Sequence, residues 1–80
     1  MSKHFLKLSP KFYVPVERNT KPFEVRKNDR DYKVGDILVL GEYSEGEYTG
    51  RSMSRKITYI LDDNEYCKEG YVILGIAPLS

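Results

Sequence analysis

The sequence predicts a small α+β barrel of about five strands with one or two short helices, and three observations lead there. Its 80 residues amount to one domain, 1–80, with room for a single core. Alternation of apolar and polar residues with a period of two recurs in short segments, as half-buried strands require. No repeat, low-complexity tract or linker separates these segments. The strands are therefore expected to share one sheet, curled on itself so that few edges stay exposed.

The elements follow in chain order. His4, Leu6 and Leu8 alternate with Lys3, Phe5 and Lys7 and give a first strand. Ser9 followed by Pro10 has the form of an N-cap with proline at the first helical position, and Phe12, Tyr13 and Val16 then share one side of a helix. Pro15 removes an interior amide donor and crowds the carbonyl four residues back, so this helix should be distorted and end near Asn19. From Pro22 to Lys27 the alternation returns, with Phe23 and Val25 on an apolar face and Glu24 and Arg26 on a polar one. Asn28-Asp29-Arg30-Asp31 is a turn by composition, and Gly35 can turn the chain into a central strand, Ile37-Leu38-Val39-Leu40. Ser44-Glu45-Gly46-Glu47 is the next turn, after which Ile57, Tyr59 and Leu61 alternate with Lys56 and Thr58. Asp62-Asp63-Asn64 breaks that strand, Asn64 to Glu69 is expected to form one helical turn closed by Gly70, and Tyr71 to Ile76 is a closing strand. The expected core is Ile37, Val39, Ile57, Tyr59, Val72 and Leu74.

Lys plus Arg at 13 against Asp plus Glu at 12 leaves a net charge of +1, too little to attract a polyanion by bulk field. Any nucleic-acid site must be a local patch. A lone cysteine, Cys67, excludes an internal disulfide, and a lone histidine, His4, excludes a site built on two imidazoles. No metal and no cofactor are expected. His4 shares strand parity with Leu6 and Leu8, which points to a buried, hydrogen-bonded imidazole rather than a general base. Asp62-Asp63-Asn64-Glu65 lacks the ligand spacing of a calcium loop and reads as a turn. Met1 to Lys7 has no apolar signal region, and the longest apolar stretch, Tyr71 to Ala77, is too short to cross a bilayer. The expectation is a cytoplasmic protein with no membrane partner.

Lys21, Glu24 and Arg26 lie within six residues at the junction of helix and strand. In a cleft, Arg26 would grip a phosphate or base edge as a fork, Lys21 would act as a point charge or base, and Glu24 would accept hydrogen bonds from an amide or amino group. The competing reading is a solvated strand face on which Glu24 and Arg26 pair with each other. Between positions 17 and 33, Arg18, Lys21, Arg26, Lys27, Arg30 and Lys33 outnumber Glu17, Glu24, Asp29 and Asp31. Arg51, Arg55 and Lys56 form a second basic cluster, with Glu42, Glu45 and Glu47 as an acidic counterweight. Brought together, the basic clusters would make a groove complementary to a nucleic-acid backbone. Phe12, Tyr13, Tyr43 and Tyr48 are the aromatics nearest these loops, with core packing as their other use.

Three segments carry a resemblance: His4-Phe5-Leu6-Lys7, Lys21 through Arg30 (Lys-Pro-Phe-Glu-Val-Arg-Lys-Asn-Asp-Arg), and Val34-Gly35-Asp36-Ile37-Leu38. With them the chain resembles the ASCH family, named for activating-signal-cointegrator homology, and its small bacterial and phage members in particular. The likeness runs from His4 to Ile76, and Tyr48-Thr49-Gly50-Arg51 also looks like this branch. Lys21 and Arg26 occupy the Lys and Arg of the family's Gly-x-Lys-x-x-x-x-Arg-like segment, and Asn19, which tolerates left-handed backbone, replaces its glycine. The resemblance implies a PUA-like barrel and a module binding RNA or a modified nucleotide. Lys21, Glu24, Arg26, Arg30, Arg51 and Tyr48 are the residues it offers as contacts.

The same resemblance extends to small amidohydrolases that deacetylate acetylated cytidine with a lysine, a threonine and a glutamate. Lys21 matches the lysine, Glu24 stands where the threonine would be, and the catalytic glutamate has no clear match. If the chain is an enzyme of this kind, Lys21 and Glu24 are the catalytic candidates. A carboxylate beside Lys21 favours the ammonium form, which has no lone pair to attack or accept a proton, so weak activity at most is expected. A third reading is a phage-encoded module that docks on a host protein.

Overall fold

A computed structural model describes residues 1–79. Its elements are β1 (Lys3–Leu8), α1 (Pro10–Glu17), β2 (Phe23–Lys27), β3 (Ile37–Ser44), β4 (Glu47–Leu61) and β5 (Tyr71–Ala77). The strands form one five-stranded sheet in the order β1-β3-β4-β5-β2. The β1–β3 pair is parallel, while β3–β4, β4–β5 and β2–β5 are antiparallel. The curled sheet makes a small barrel-like fold around one core, with β1 and β2 as its two edges.

α1 begins as the sequence predicts, with Ser9 extended and Pro10 in the first turn. Pro15 is tolerated near the helix end, and its carbonyl accepts from the N–H groups of both Thr20 and Lys21. Asn19, at φ 62°, takes the left-handed turn that leads into β2. Val16 and Tyr13 are buried against the sheet, joining Leu6, Leu8, Tyr32, Leu38, Leu40, Ile57, Val72, Leu74 and Ile76 in the core.

Three expectations need correction. The face of β2 is inverted: Glu24 is buried at 2% exposure, whereas Phe23 and Val25 are 41% and 51% exposed. Leu38 and Leu40, not Ile37 and Val39, face the core from β3. Tyr59 is exposed because β4 carries an extra residue, Thr58, between the pairs Ile57↔Ile76 and Tyr59↔Gly75, and such a bulge reverses side-chain parity. Gly75 belongs to that irregularity, since a Cβ there would approach Thr58 Oγ1 and Tyr59 Cβ to 3.3 Å. The segment after Asp63 makes the single helical turn expected, with Asp63 O accepting from the N–H groups of Tyr66 and Cys67, though it ends before Glu69 and Gly70 follows at φ 81°.

Candidate functional site

The site lies where the sheet fails to close. Ile37 N–H donates to Ser2 O, so even-numbered residues of β1 bond β3 and odd-numbered ones turn their backbone groups to the free edge. Ile76 N–H donates to Pro22 O and Asn28 N–H to Gly70 O, which gives β2 the same parity toward β5. Two arginines span the gap between these edges. Arg26 Nη2 donates to Lys7 O at 2.7 Å and Arg30 Nη1 donates to Phe5 O at 3.2 Å.

Glu24 holds this clasp from inside. Its Oε1 accepts from Arg26 Nε at 3.1 Å and Nη2 at 2.9 Å, and its Oε2 accepts from Lys21 Nζ at 2.7 Å. Burying a carboxylate is costly unless it is paired and hydrogen-bonded, and here both oxygens are. This requirement is what turns the charged face of β2 inward. Lys21 Nζ also donates to Phe23 O at 2.9 Å, and it sits 5.0 Å and 4.9 Å from the ring centroids of Phe12 and Phe23, within cation–π range.

Lys7, Leu8, Ser9, Phe12, Lys21, Phe23, Glu24, Val25 and Arg26 enclose an open cleft of about 530 Å³ here. Its walls are largely apolar and its floor is the Lys21-Glu24-Arg26 triad. Among the described residues, Arg26 Nη1 has no partner, Lys21 Nζ uses two of its three donors, and Ser9 makes no capping bond. The cleft thus offers hydrogen-bond donors at a cationic floor beside two phenyl rings. Such an arrangement suits an anionic group attached to a flat, apolar-faced ring.

The other expected site residues lie elsewhere. Arg30 is on the β1 edge, outside the cleft lining. Arg51 is held at Glu42, with Nε to Oε1 at 3.1 Å and Nη2 to Oε2 at 2.8 Å, and its guanidinium covers Tyr13 at 4.7 Å. Between Tyr43↔Tyr48 and Gly41↔Ser52, β4 uses two more residues than β3, and this bulge sets both Thr49 and Arg51 opposite Glu42. Gly50, at φ 100°, supplies the backbone turn. Arg55 Nη2 donates to the carbonyls of Val16 and Glu17, both at 3.4 Å, and so caps α1. The Arg51-Arg55 cluster is therefore not joined to Lys21 and Arg26. Tyr48 lies on the outer sheet face across Gly41, where a Cβ would meet its ring at 2.9 Å.

Two further buried acids have bases of their own. Hydrogen bonds from Arg51 and Thr49 lower the Glu42 carboxyl from its usual value to about 2, and Glu42 in turn raises the Arg51 guanidinium. Asp36 lies below its ordinary value chiefly through His4 Nε2 at 2.8 Å, assisted by the Ser2 N–H. His4 is thus a buried, hydrogen-bonded imidazole, packed edge-on against Tyr32 at 4.8 Å. Burial pushes the phenols of Tyr13 and Tyr32 up.

These shifts set an acid limit on stability. Both folded carboxyls titrate below their unfolded values, so unfolding takes up protons; their stabilisation is complete above the usual Glu value of 4.5 and drains as pH falls toward about 2. Urea midpoints are expected to fall from pH 6 to pH 3, and Glu42→Gln should flatten that decline. A Glu42→Gln curve parallel to the parent's would contradict the assignment.

No group of three or more His, Cys, Asp or Glu side chains is placed to hold a metal ion among the described residues. No helix there is long and apolar enough to cross a membrane. Sequence reasoning placed Phe23 on a buried face and Ser9 only as a cap; both line the cleft. The signal for Phe23 was its position between Lys21 and Glu24, whose pairing fixes the orientation of β2.

Residues 3–76 match the family described as "Domain of unknown function (DUF3850)". The chain is also 39% identical over 71 residues, 89% of its length, to an Escherichia phage P2 protein described as "Uncharacterized 12.9 kDa protein in GpA 3'region". It spans 64% of that relative's length. With the match covering every strand from β1 into β5, the chain belongs to the DUF3850 family.

Proposed function

We propose that the cleft between β1 and β2 binds the phosphate and base of a nucleotide, either as a modified nucleotide or as a unit of cytoplasmic RNA, on a PUA-like barrel. The observation that carries this reading is the triad itself: Glu24 fixes Lys21 and Arg26 at the cleft floor with donors to spare, between Phe12 and Phe23. Guanidinium and ammonium groups held in this way recognise phosphate without having to be ordered on binding. The aromatic walls suit a base. The resemblance to the ASCH family supports the same reading.

The test is fluorescence anisotropy with a panel of labelled single-stranded and structured RNAs at rising salt. Affinity is expected to fall steeply with added salt, and Lys21→Ala should weaken binding on every sequence while lowering the salt slope by about one. No binding across the panel at low salt would overturn the reading.

One observation favours a second reading, a nucleoside amidohydrolase: Lys21 Nζ and Glu24 touch at 2.7 Å inside an open cleft. Against it, the nitrogen donates to both Phe23 O and Glu24, which leaves it poorly placed to act as base or nucleophile. Incubation with acetylated nucleosides separates the two. Turnover lost in both Lys21→Ala and Glu24→Gln would establish the enzyme, whereas nucleoside binding without turnover supports the binding module. A protein partner retained from lysate after nuclease treatment would instead point to host-protein docking.

A further inference from the structure

Outside the cleft, the outer face of β1, β3 and β4 is unusual in what it shows to solvent. Its outward strand positions are, in paired rows, Lys3-Ile37-Lys56, Phe5-Val39-Ser54 and Lys7-Gly41-Ser52, followed by Tyr43-Tyr48. Three lysines stand on it and no carboxylate does. Of the acids nearest these rows, Asp36 and Glu42 are buried on the inner side, while Glu45 and Glu47 are exposed only at the β3–β4 turn, beyond the Tyr43-Tyr48 end.

The apolar positions of this face are wet. Phe5 is 64% exposed and Tyr48 58% exposed. The Tyr48 ring lies across β3 because Gly41 has no Cβ to lift it, and it meets Tyr43 edge-on at 5.0 Å, 82° between planes. The Cδ1–Cε1 edge of Tyr48 points at Gly41, so the ring stands on the sheet edge-on and its flat faces are not packed against β3. Lys7 Nζ stands 4.4 Å over the Tyr43 ring. A depression of about 250 Å³ runs between Phe5, Val39, Gly41 and Tyr48.

We infer that this outer face is a stacking platform for single-stranded nucleic acid, with bases on Phe5 and Tyr48 and the backbone along Lys3, Lys7 and Lys56. Every base has a π-face, so exposed rings on a sheet receive bases whatever the sequence, and the lysines match the charge of the phosphates. An acidic peptide would use the lysines but leave the rings idle, whereas an anionic lipid surface would use both, so capture by anionic vesicles without oligonucleotide binding would overturn the platform. Lys7 lines the cleft as well, so the platform lies next to that site while its chemistry does not depend on it.

The test uses fluorescein-labelled U12 and dT12 as probes, with Phe5→Ala, Tyr48→Ala and the triple variant Lys3→Gln, Lys7→Gln, Lys56→Gln. Stacking on one ring is worth a loss of roughly fivefold to a hundredfold in affinity when it is removed, and the exposed positions should leave the melting temperature nearly unchanged. The triple variant should flatten the salt dependence. Uridine 5′-monophosphate, read by NMR at the cleft, distinguishes the two sites. If the mononucleotide fails to bind while U12 or dT12 still requires Phe5 and Tyr48, the cleft reading fails and the platform stands. If neither oligonucleotide binds, or if both bind unchanged in the two aromatic variants, the platform is wrong.

Discussion

Glu24→Ala is expected to cost about 3 kcal/mol of unfolding free energy, because it leaves two cations without the carboxylate they were folded around. The partners are not fully buried, with side chains 17% and 22% exposed, which keeps the loss at the lower end for a broken buried ion pair. Small domains have only about 5–15 kcal/mol in total, so the melting transition should move by many degrees. Glu24→Gln retains the volume and one acceptor oxygen and should lose less. Urea denaturation checks this against Glu47→Ala, an exposed acid in the same protein. Equal losses for the two alanine variants would mean that Glu24 does not hold the seam.

Leu38→Ala and Leu74→Ala are each expected to cost about 2–5 kcal/mol, the loss of apolar burial plus the cavity left behind. Both side chains have 0% exposure in the centre of the core. Val39→Ala, one position along β3 on the opposite face, should cost under about 1 kcal/mol beyond its own partial burial. The comparison tests the register directly, since a slip of one residue would exchange the two results. Val39 losing as much as Leu38 would contradict the inward face described for β3.

Most elements were legible because their signals are local. Ser9 and Pro10 start α1, Asn19 ends it, Glu45 and Gly46 make the β3–β4 turn, and His4 shares parity with the core leucines. The faces of β2 and β3 were not legible, for one physical reason. Each presents a carboxylate inward, Glu24 or Glu42, and a buried carboxylate is tolerated only where bases meet it in the folded state, Lys21 and Arg26 beside Glu24 and Arg51 from the neighbouring strand at Glu42. Arg51 meets Glu42 through a bulge of two residues, which keeps side-chain parity and so leaves no mark in period-two alternation. The one-residue bulge at Thr58 instead reversed the parity of Tyr59, an aromatic that alternation counted with the core. Of the candidate site, the local trio Lys21, Glu24 and Arg26 was readable from spacing. Its distance from Arg51 was not, because Glu42 and the end of α1 claim Arg51 and Arg55 only once the sheet has curled.

An NMR titration of the isotopically labelled protein with uridine 5′-monophosphate tests nucleotide binding in the cleft between β1 and β2 most directly. Amide resonances of Ser9, Phe12 and Lys21 to Arg26 are predicted to move together along one saturable curve, and the movement should be lost in Lys21→Ala. Unmoved spectra at millimolar nucleotide, or shifts confined to residues away from β2 and the start of α1, would contradict it.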